Sequence, residues 1–216
     1  MDFTIAGPIV GVLSLVDVVL HAALDAAKVR NRGPSNLTEP EESVPALAMT
    51  AVAVSTLLSF VLVLAIPLAW LLSAGAFLLP YLVPIIDAPG FIWVPGLAIL
   101  CFGIVLHGWS RFVRKDMASS WVMSSGHRLI TRGPYGWIRH PSYTSYMLSF
   151  VGLFLMMPSV VTIVLLVGIP GYYLVTVPEE SMLISQFGDE YREYVAQTGR
   201  LFPKFGKRRV QFRPKP

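Results

Sequence analysis

The chain has 216 residues, 54% of them hydrophobic and only 14% charged, and a mean hydropathy of +0.62. Soluble domains carry about a quarter charged residues, so this composition excludes a single water-soluble core and points to a membrane as the solvent. The net charge is +4 and Cys101 is the single cysteine, which excludes an internal disulfide and leaves the basic C-terminal tail as a contact for anionic lipid headgroups rather than nucleic acid.

The length suits one membrane domain over residues 1–216. Phe3 to Ala27 is the first predicted span, and its N-terminal flank has no Lys or Arg, which argues against a cleavable signal peptide. Asp17, His21 and Asp25 recur every four residues and so share one helical face. Ionisable residues in a span are functional candidates. Here Asp17 and His21 are expected to satisfy each other or a neighbouring helix, and Asp25 to sit at the headgroups. Two Asp and a His suit a metal, but no further residue in the sequence visibly completes the set. Lys28 to Val44 is a polar loop, and Pro45 to Leu72 is the second span, so residues 3–72 hold two N-terminal spans. Ser73 to Gly90 contains Pro80, Pro84 and Pro89 and reads as an outer connection.

Residues 91–205 hold a third span and a C-terminal half with the candidate chemistry. Phe91 to Trp109 crosses, and Arg111, Arg114 and Lys115 end it. Asp116 to Pro141 is a polar connection. Thr144 to Met157 has 14 residues, about 21 Å of helix, too short to cross alone. Pro158 and Ser159 turn the chain, and Val160 to Val177 returns with an expected kink at Pro170 and Gly171. A separate charged helix is expected from Pro178, with Phe187, Tyr191 and Tyr194 on one face and Gly199 at its end. Residues 206–216 form a basic tail. The predicted fold is all-α, with five transmembrane helices, the last two a hairpin, and a C-terminal helix covering the site. All 17 Lys and Arg then fall on one side, which the positive-inside rule makes cytoplasmic, with the N-terminus outside.

Two polar blocks face that side: His127 to Tyr143 (HRLITRGPYGWIRHPSY) and Pro178 to Tyr194 (PEESMLISQFGDEYREY). The hairpin joins them and brings Arg139-His140-Pro141 to the same mouth as Glu179-Glu180. A stiff loop of aromatic and donor groups suits a flat heterocycle with a ribose, and glutamates suit ribose hydroxyls or an ammonium. Arg128, Arg132 and Arg139 are equally readable as headgroup contacts, Tyr135, Trp137 and Tyr143 as an aromatic belt, and Glu180 as a solvated helix-start charge. The residues alone support a small-molecule site on a membrane protein and carry no Walker, dinucleotide, zincin or serine-elbow motif.

The two blocks, from about Ser120 to Phe205, resemble the signature of the isoprenylcysteine carboxyl methyltransferases and their prokaryotic relatives, themselves similar to the phospholipid N-methyltransferases. The resemblance implies S-adenosylmethionine as methyl donor. Carried over by motif, its contacts are His127, Arg128, Leu129, Ile130, Tyr135, His140, Pro141, Ser142, Tyr143 and Glu179. The implied acceptor is lipid-like or prenylated, enters from the bilayer and is methylated on a carboxylate by a monomeric enzyme. A carboxylate needs no general base, whereas an amine acceptor does, with His140 or Glu180 the nearest candidates. Two positions depart from the family. Val175 stands where isoprenylcysteine enzymes have an arginine, and Ser120 where eukaryotic members have a glutamine. Arg111 or Arg114 is the candidate replacement charge. Phospholipid headgroup N-methylation, a sterol-type membrane reductase and a non-catalytic binding protein are the competing readings.

Overall fold

The computed structural model describes residues 2–31, 44–74, 85, 91–114 and 128–204. His127, Ser120, Lys115, most of the polar loop before Val44, most of the outer connection and the 206–216 tail lie outside the described residues. Those that are described form helices, joined by short turns and one isolated parallel bridge, Ile138 to Gly199. In chain order they are α1 (Phe3–Asn31), α2 (Ala46–Leu71), α3 (Trp93–Arg114), a 3-10 turn (Gly133–Gly136), α4 (Pro141–Met156), α5 (Val160–Phe187) and α6 (Asp189–Gln197). Four of them, α1, α2, α3 and α5, are long and apolar enough to cross a membrane.

Much of their apolar surface is outward. Val12, Leu15, Val16, Leu57, Leu64 and Phe102 are all more than half exposed. In water such a surface would drive association, and in lipid it costs nothing. The buried apolar side chains Leu62, Ile66, Leu100, Phe150, Leu153, Leu165 and Tyr172 form one core between the helices.

The tightest packing is α3 on α4, and small residues cause it. A Cβ on Gly152 would meet Leu100 N at 2.7 Å and Gly96 O at 2.8 Å, and one on Gly103 would meet Ser145 O at 2.9 Å. Lipid supplies no hydrophobic drive between helices, so close backbone approach is what holds them together. This seam places the start of α4, with its polar residues, beside the end of α3.

Two expectations about the C-terminal half are corrected. The return helix does not stop at Val177. Helix α5 runs unbroken for 28 residues through both Pro170 and Pro178, started by a Ser159–Thr162 capping box. Prolines are tolerated inside membrane helices where the surrounding protein can accommodate the freed backbone groups, and the Thr176 hydroxyl donates to the Tyr173 carbonyl in the turn before Pro178 at 2.6 Å. The break comes instead at Gly188, whose φ of +55° lies in the region that favours glycine. Phe187 therefore ends one helix, while Tyr191 and Tyr194 belong to the next. In the N-terminal half, α1 continues to Asn31, four residues beyond the predicted Ala27.

Candidate functional site

The site is built where the chain after α6 doubles back along the loop before α4. Arg139 N donates to Gly199 O at 2.9 Å, His140 N to Arg200 O at 3.1 Å, and Gly199 N to Trp137 O at 3.1 Å. Further on, the Thr144 hydroxyl donates to Leu201 O at 2.7 Å. The Tyr194 hydroxyl ties α6 to the 3-10 turn through Tyr135 O at 2.6 Å. A loop of this sequence is thus held as firmly as a sheet edge, with its backbone donors and acceptors paired.

Its side chains meet the two glutamates of α5. Glu180 is the hub. Its Oε1 accepts from Arg139 Nε at 2.6 Å and its Oε2 from Arg200 Nη2 at 2.7 Å and Nε at 3.1 Å. His140 Nε2 lies 3.2 Å from Glu180 Oε1. Arg139 also donates to Thr198 O at 2.5 Å. Glu179 is bound on one oxygen only, by the Tyr143 hydroxyl at 2.6 Å. Its Oε2 is buried without a hydrogen bond, although His140 Nδ1 lies 3.2 Å away at a poor angle.

Burial sets the electrostatics. Glu179 is 1% exposed and Glu180 5%, so their charges are poorly screened. Burial by itself pulls the His140 imidazole down. The carboxylates of Glu179 and Glu180, one at each ring nitrogen, more than offset this and hold it above its usual value. Burial raises the Tyr135 phenol, with the Ser142 and Ser110 hydroxyls and the Arg114 and Glu179 charges around it.

The structure brings some of the sequence-predicted residues together here, while His127 lies outside the described residues. His140, Pro141, Ser142, Tyr143, Glu179 and Glu180 line one corner, and the Ser142 hydroxyl bonds that of Ser110 on α3 at 2.9 Å. Leu129 and Ile130 are half-buried and Arg128 is exposed. Two alternatives for single residues are corrected. Arg139 is not a headgroup contact but a buried cation shared between Glu180 and backbone carbonyls. Glu180 is not a solvated helix-start charge, because it lies inside α5.

With this geometry in view, residues 91–190 match the family model of the phospholipid methyltransferases. A protein-S-isoprenylcysteine O-methyltransferase from Tribolium castaneum is 37% identical over 91 residues, covering 37% of this chain and 29% of its own. One from Schizosaccharomyces pombe is 32% identical over 104 residues, covering 45% and 44%. The matches span less than half the length of either curated relative. A solved eukaryotic intramembrane Ras methyltransferase (isoprenylcysteine carboxyl methyltransferase) is 23% identical, with a TM-score of 0.48, over 76% of this chain and 54% of that one.

The C-terminal site has features that suit the cofactor expected from the sequence. Two buried polar atoms there make no hydrogen bond among the described residues: Glu179 Oε2, which has His140 Nδ1 3.2 Å away, and the Tyr191 hydroxyl. Unsatisfied buried groups are costly, and donors on a ribose or an ammonium would satisfy the carboxylate. Val175 is 1% exposed and packed into the apolar core, so no side chain there reaches an acceptor. Arg111, offered by the sequence as a substitute charge, is buried and paired with Asp25; Asp25 is thus an ion-pair partner as well as an exposed residue. Arg114 has a buried Nε without a partner.

One cluster escaped the sequence reading. His107 of α3 lies beside Asp17 and His21 of α1, and potential ligand atoms of the three lie within 4.8 Å of one another. This corrects the expectation that nothing completes the set. His107 sits ninety residues away in the chain, where no local spacing could announce it. The available signal was its place as an ionisable residue inside a span.

Proposed function

We propose that this chain is an S-adenosylmethionine-dependent methyltransferase that acts at the membrane surface on a lipid-tailed carboxylate, such as a prenylated cysteine. The observation that carries the reading is Glu179, a fully buried carboxylate whose Oε2 makes no hydrogen bond among the described residues and has the His140 Nδ1 atom 3.2 Å away, while its other oxygen is held by Tyr143. S-adenosylmethionine, when bound, supplies a methyl group on a sulfonium. Glu179 accepts from a ribose hydroxyl or an ammonium, while Tyr135, His140, Pro141, Ser142 and Tyr143 wall one side and Arg128, Leu129 and Ile130 lead into it. Glu180 has both oxygens occupied by Arg139 and Arg200. It is a positioning residue that ties loop, α5 and C-terminal strap together.

A carboxylate acceptor is already a nucleophile, so the work left to the chain is alignment at about 3–3.5 Å and exclusion of water. Arg114 is the best candidate to replace the family arginine at Val175, since its Nε is buried and unpartnered. Helix α4 has 16 residues, about 24 Å, and completes a fifth crossing only as a hairpin with α5. The three basic segments then share the cytoplasmic face, with the N-terminus outside.

Calorimetry of S-adenosylmethionine on the detergent-purified protein tests the cofactor. Saturable binding lost in Glu179→Ala is the expected result, and a folded wild type that binds none overturns it. Labelled methyl transfer to farnesylcysteine, with phosphatidylethanolamine in parallel, tests the acceptor. Label appearing only on the phospholipid replaces the carboxylate reading with headgroup N-methylation.

A further inference from the structure

We infer that Asp17, His21 and His107 form a divalent-cation site of the zinc type, held between α1 and α3, with no ligand shared with the Glu179 cluster. Asp17 lies inside a candidate span, and its carboxylate is 16% exposed. A carboxylate at that depth needs compensation. No Lys or Arg pairs with it among the described residues. Its ion contacts are the two imidazoles, His107 Nδ1 at 3.2 Å from Oδ2 and His21 Nδ1 at 3.5 Å from Oδ1. Oδ1 is buried and makes no hydrogen bond. The carbon scaffold around it is also close, since a Cβ on Gly108 would lie 3.1 Å from that same oxygen.

The set has the donors that zinc prefers, two imidazoles and a carboxylate. Asp17 and His21 are four apart on one helix and so share a face, and His107 closes the set from the other helix. Both histidines are also anchored. His107 Nε2 meets the Tyr146 hydroxyl at 3.0 Å, on the side away from Asp17, and His21 Nδ1 donates to the Asp17 carbonyl at 2.8 Å, which leaves Nε2 as its ligating atom. Carbonyl and hydroxyl partners of this kind orient ligating imidazoles in metal sites. The rings are stacked, with centroids 4.7 Å apart and planes at 17°. Joint ligation therefore needs rotation about χ2, a broad torsion in histidine.

An ion has a way in. Asp17, His21 and His107 line a cleft of about 580 Å³ with Arg111, Arg114 and Tyr146. Three protein ligands leave a fourth position for water from that cleft. The cations in it lie along α3: Arg111 is one turn beyond His107 and already paired with Asp25, and Arg114 is two turns beyond.

The test uses full-length, tag-free, chelator-stripped protein in detergent, without S-adenosylmethionine or acceptor. Zinc is titrated by calorimetry, and X-ray absorption is recorded on the loaded wild type. The site predicts one saturable zinc per chain, imidazole scattering at about 2.0–2.1 Å, and a loss of affinity in His107→Ala and Asp17→Asn greater than the roughly 10–100-fold that outer-shell partners are worth. Absence of saturable zinc binding, or a zinc spectrum without imidazole shells, overturns it. So does unchanged affinity in a folded His107→Ala. The absorption spectrum needs no variant and decides the matter even if the variants do not fold.

Discussion

Two clusters of histidine and carboxylate lie inside this molecule, and they are built differently. At the C-terminal site, His140, Glu179 and Glu180 are buried under a strap and braced by Arg139 and Arg200. Between α1 and α3, Asp17, His21 and His107 are part-exposed along a cleft, with no arginine among their ion contacts. The first cluster balances its buried charge with protein cations and leaves a single carboxylate oxygen without a hydrogen bond. The second leaves the balancing charge to be supplied from outside. The contrast teaches that a buried carboxylate in lipid is informative mainly through what compensates it.

Four changes break or sharpen this contrast. The largest effect is expected from Glu180→Ala, which strands the buried Arg139 and releases Arg200. Loss of one partner from a buried pair costs about 3–5 kcal/mol, so thermal unfolding in detergent should show a strongly lowered midpoint. A midpoint within a degree of wild type would remove Glu180 from its bracing role. Next comes Glu179→Gln, which keeps the shape and removes the charge. Hydrogen bonds to charged groups are worth about 1.5–3 kcal/mol, so S-adenosylmethionine affinity should fall on the order of 10–100-fold while unfolding moves little. Equal losses of affinity and stability would make Glu179 structural.

A smaller effect is expected from Gly152→Ala, whose methyl meets backbone atoms of α3 at 2.7–2.9 Å. Overpacking costs about 1–3 kcal/mol, and the unfolding midpoint should drop without altering zinc affinity. The smallest is expected from Asp189→Ala, whose pair with Arg192 is 3.7 Å long and solvent-exposed; no measurable change should follow.

Acidity tests the first cluster as well. The His140 imidazole is held above its usual value by the two glutamates, against the pull of burial. A group raised on folding contributes stability that is complete below its unfolded value, about pH 6.5, and is lost as pH rises through the folded value. Unfolding midpoints should therefore decline as pH rises above about 6.5 in wild type and decline less in His140→Gln. Parallel pH profiles for the two proteins would exclude His140 as the titrating group.

Much of the architecture was legible because lipid leaves few options. Apolar length marked α1, α2 and α3 to within a few residues, except for the extra turn of α1 and the longer end of α3 at Arg114. The two polar blocks stood out against apolar neighbours, and the structure brings His140, Tyr143, Glu179 and Glu180 together. Other features were not legible. A proline is ordinarily a reason to end a helix, yet α5 continues through Pro178, which is buried among its neighbours. Arg139 looks the same in sequence whether it meets a headgroup or Glu180.

What the sequence alone determined is the solvent, the approximate spans and the residue types available for chemistry, since hydropathy, spacing and motif are local properties of the chain. Only the tertiary structure decided partnership. It assigned Arg139 and Arg200 to Glu180, left one Glu179 oxygen without a hydrogen bond, and set His107 against Asp17 across ninety residues. Ion pairing depends on distances of a few ångströms between segments far apart in sequence, and those distances exist only after the helices have packed.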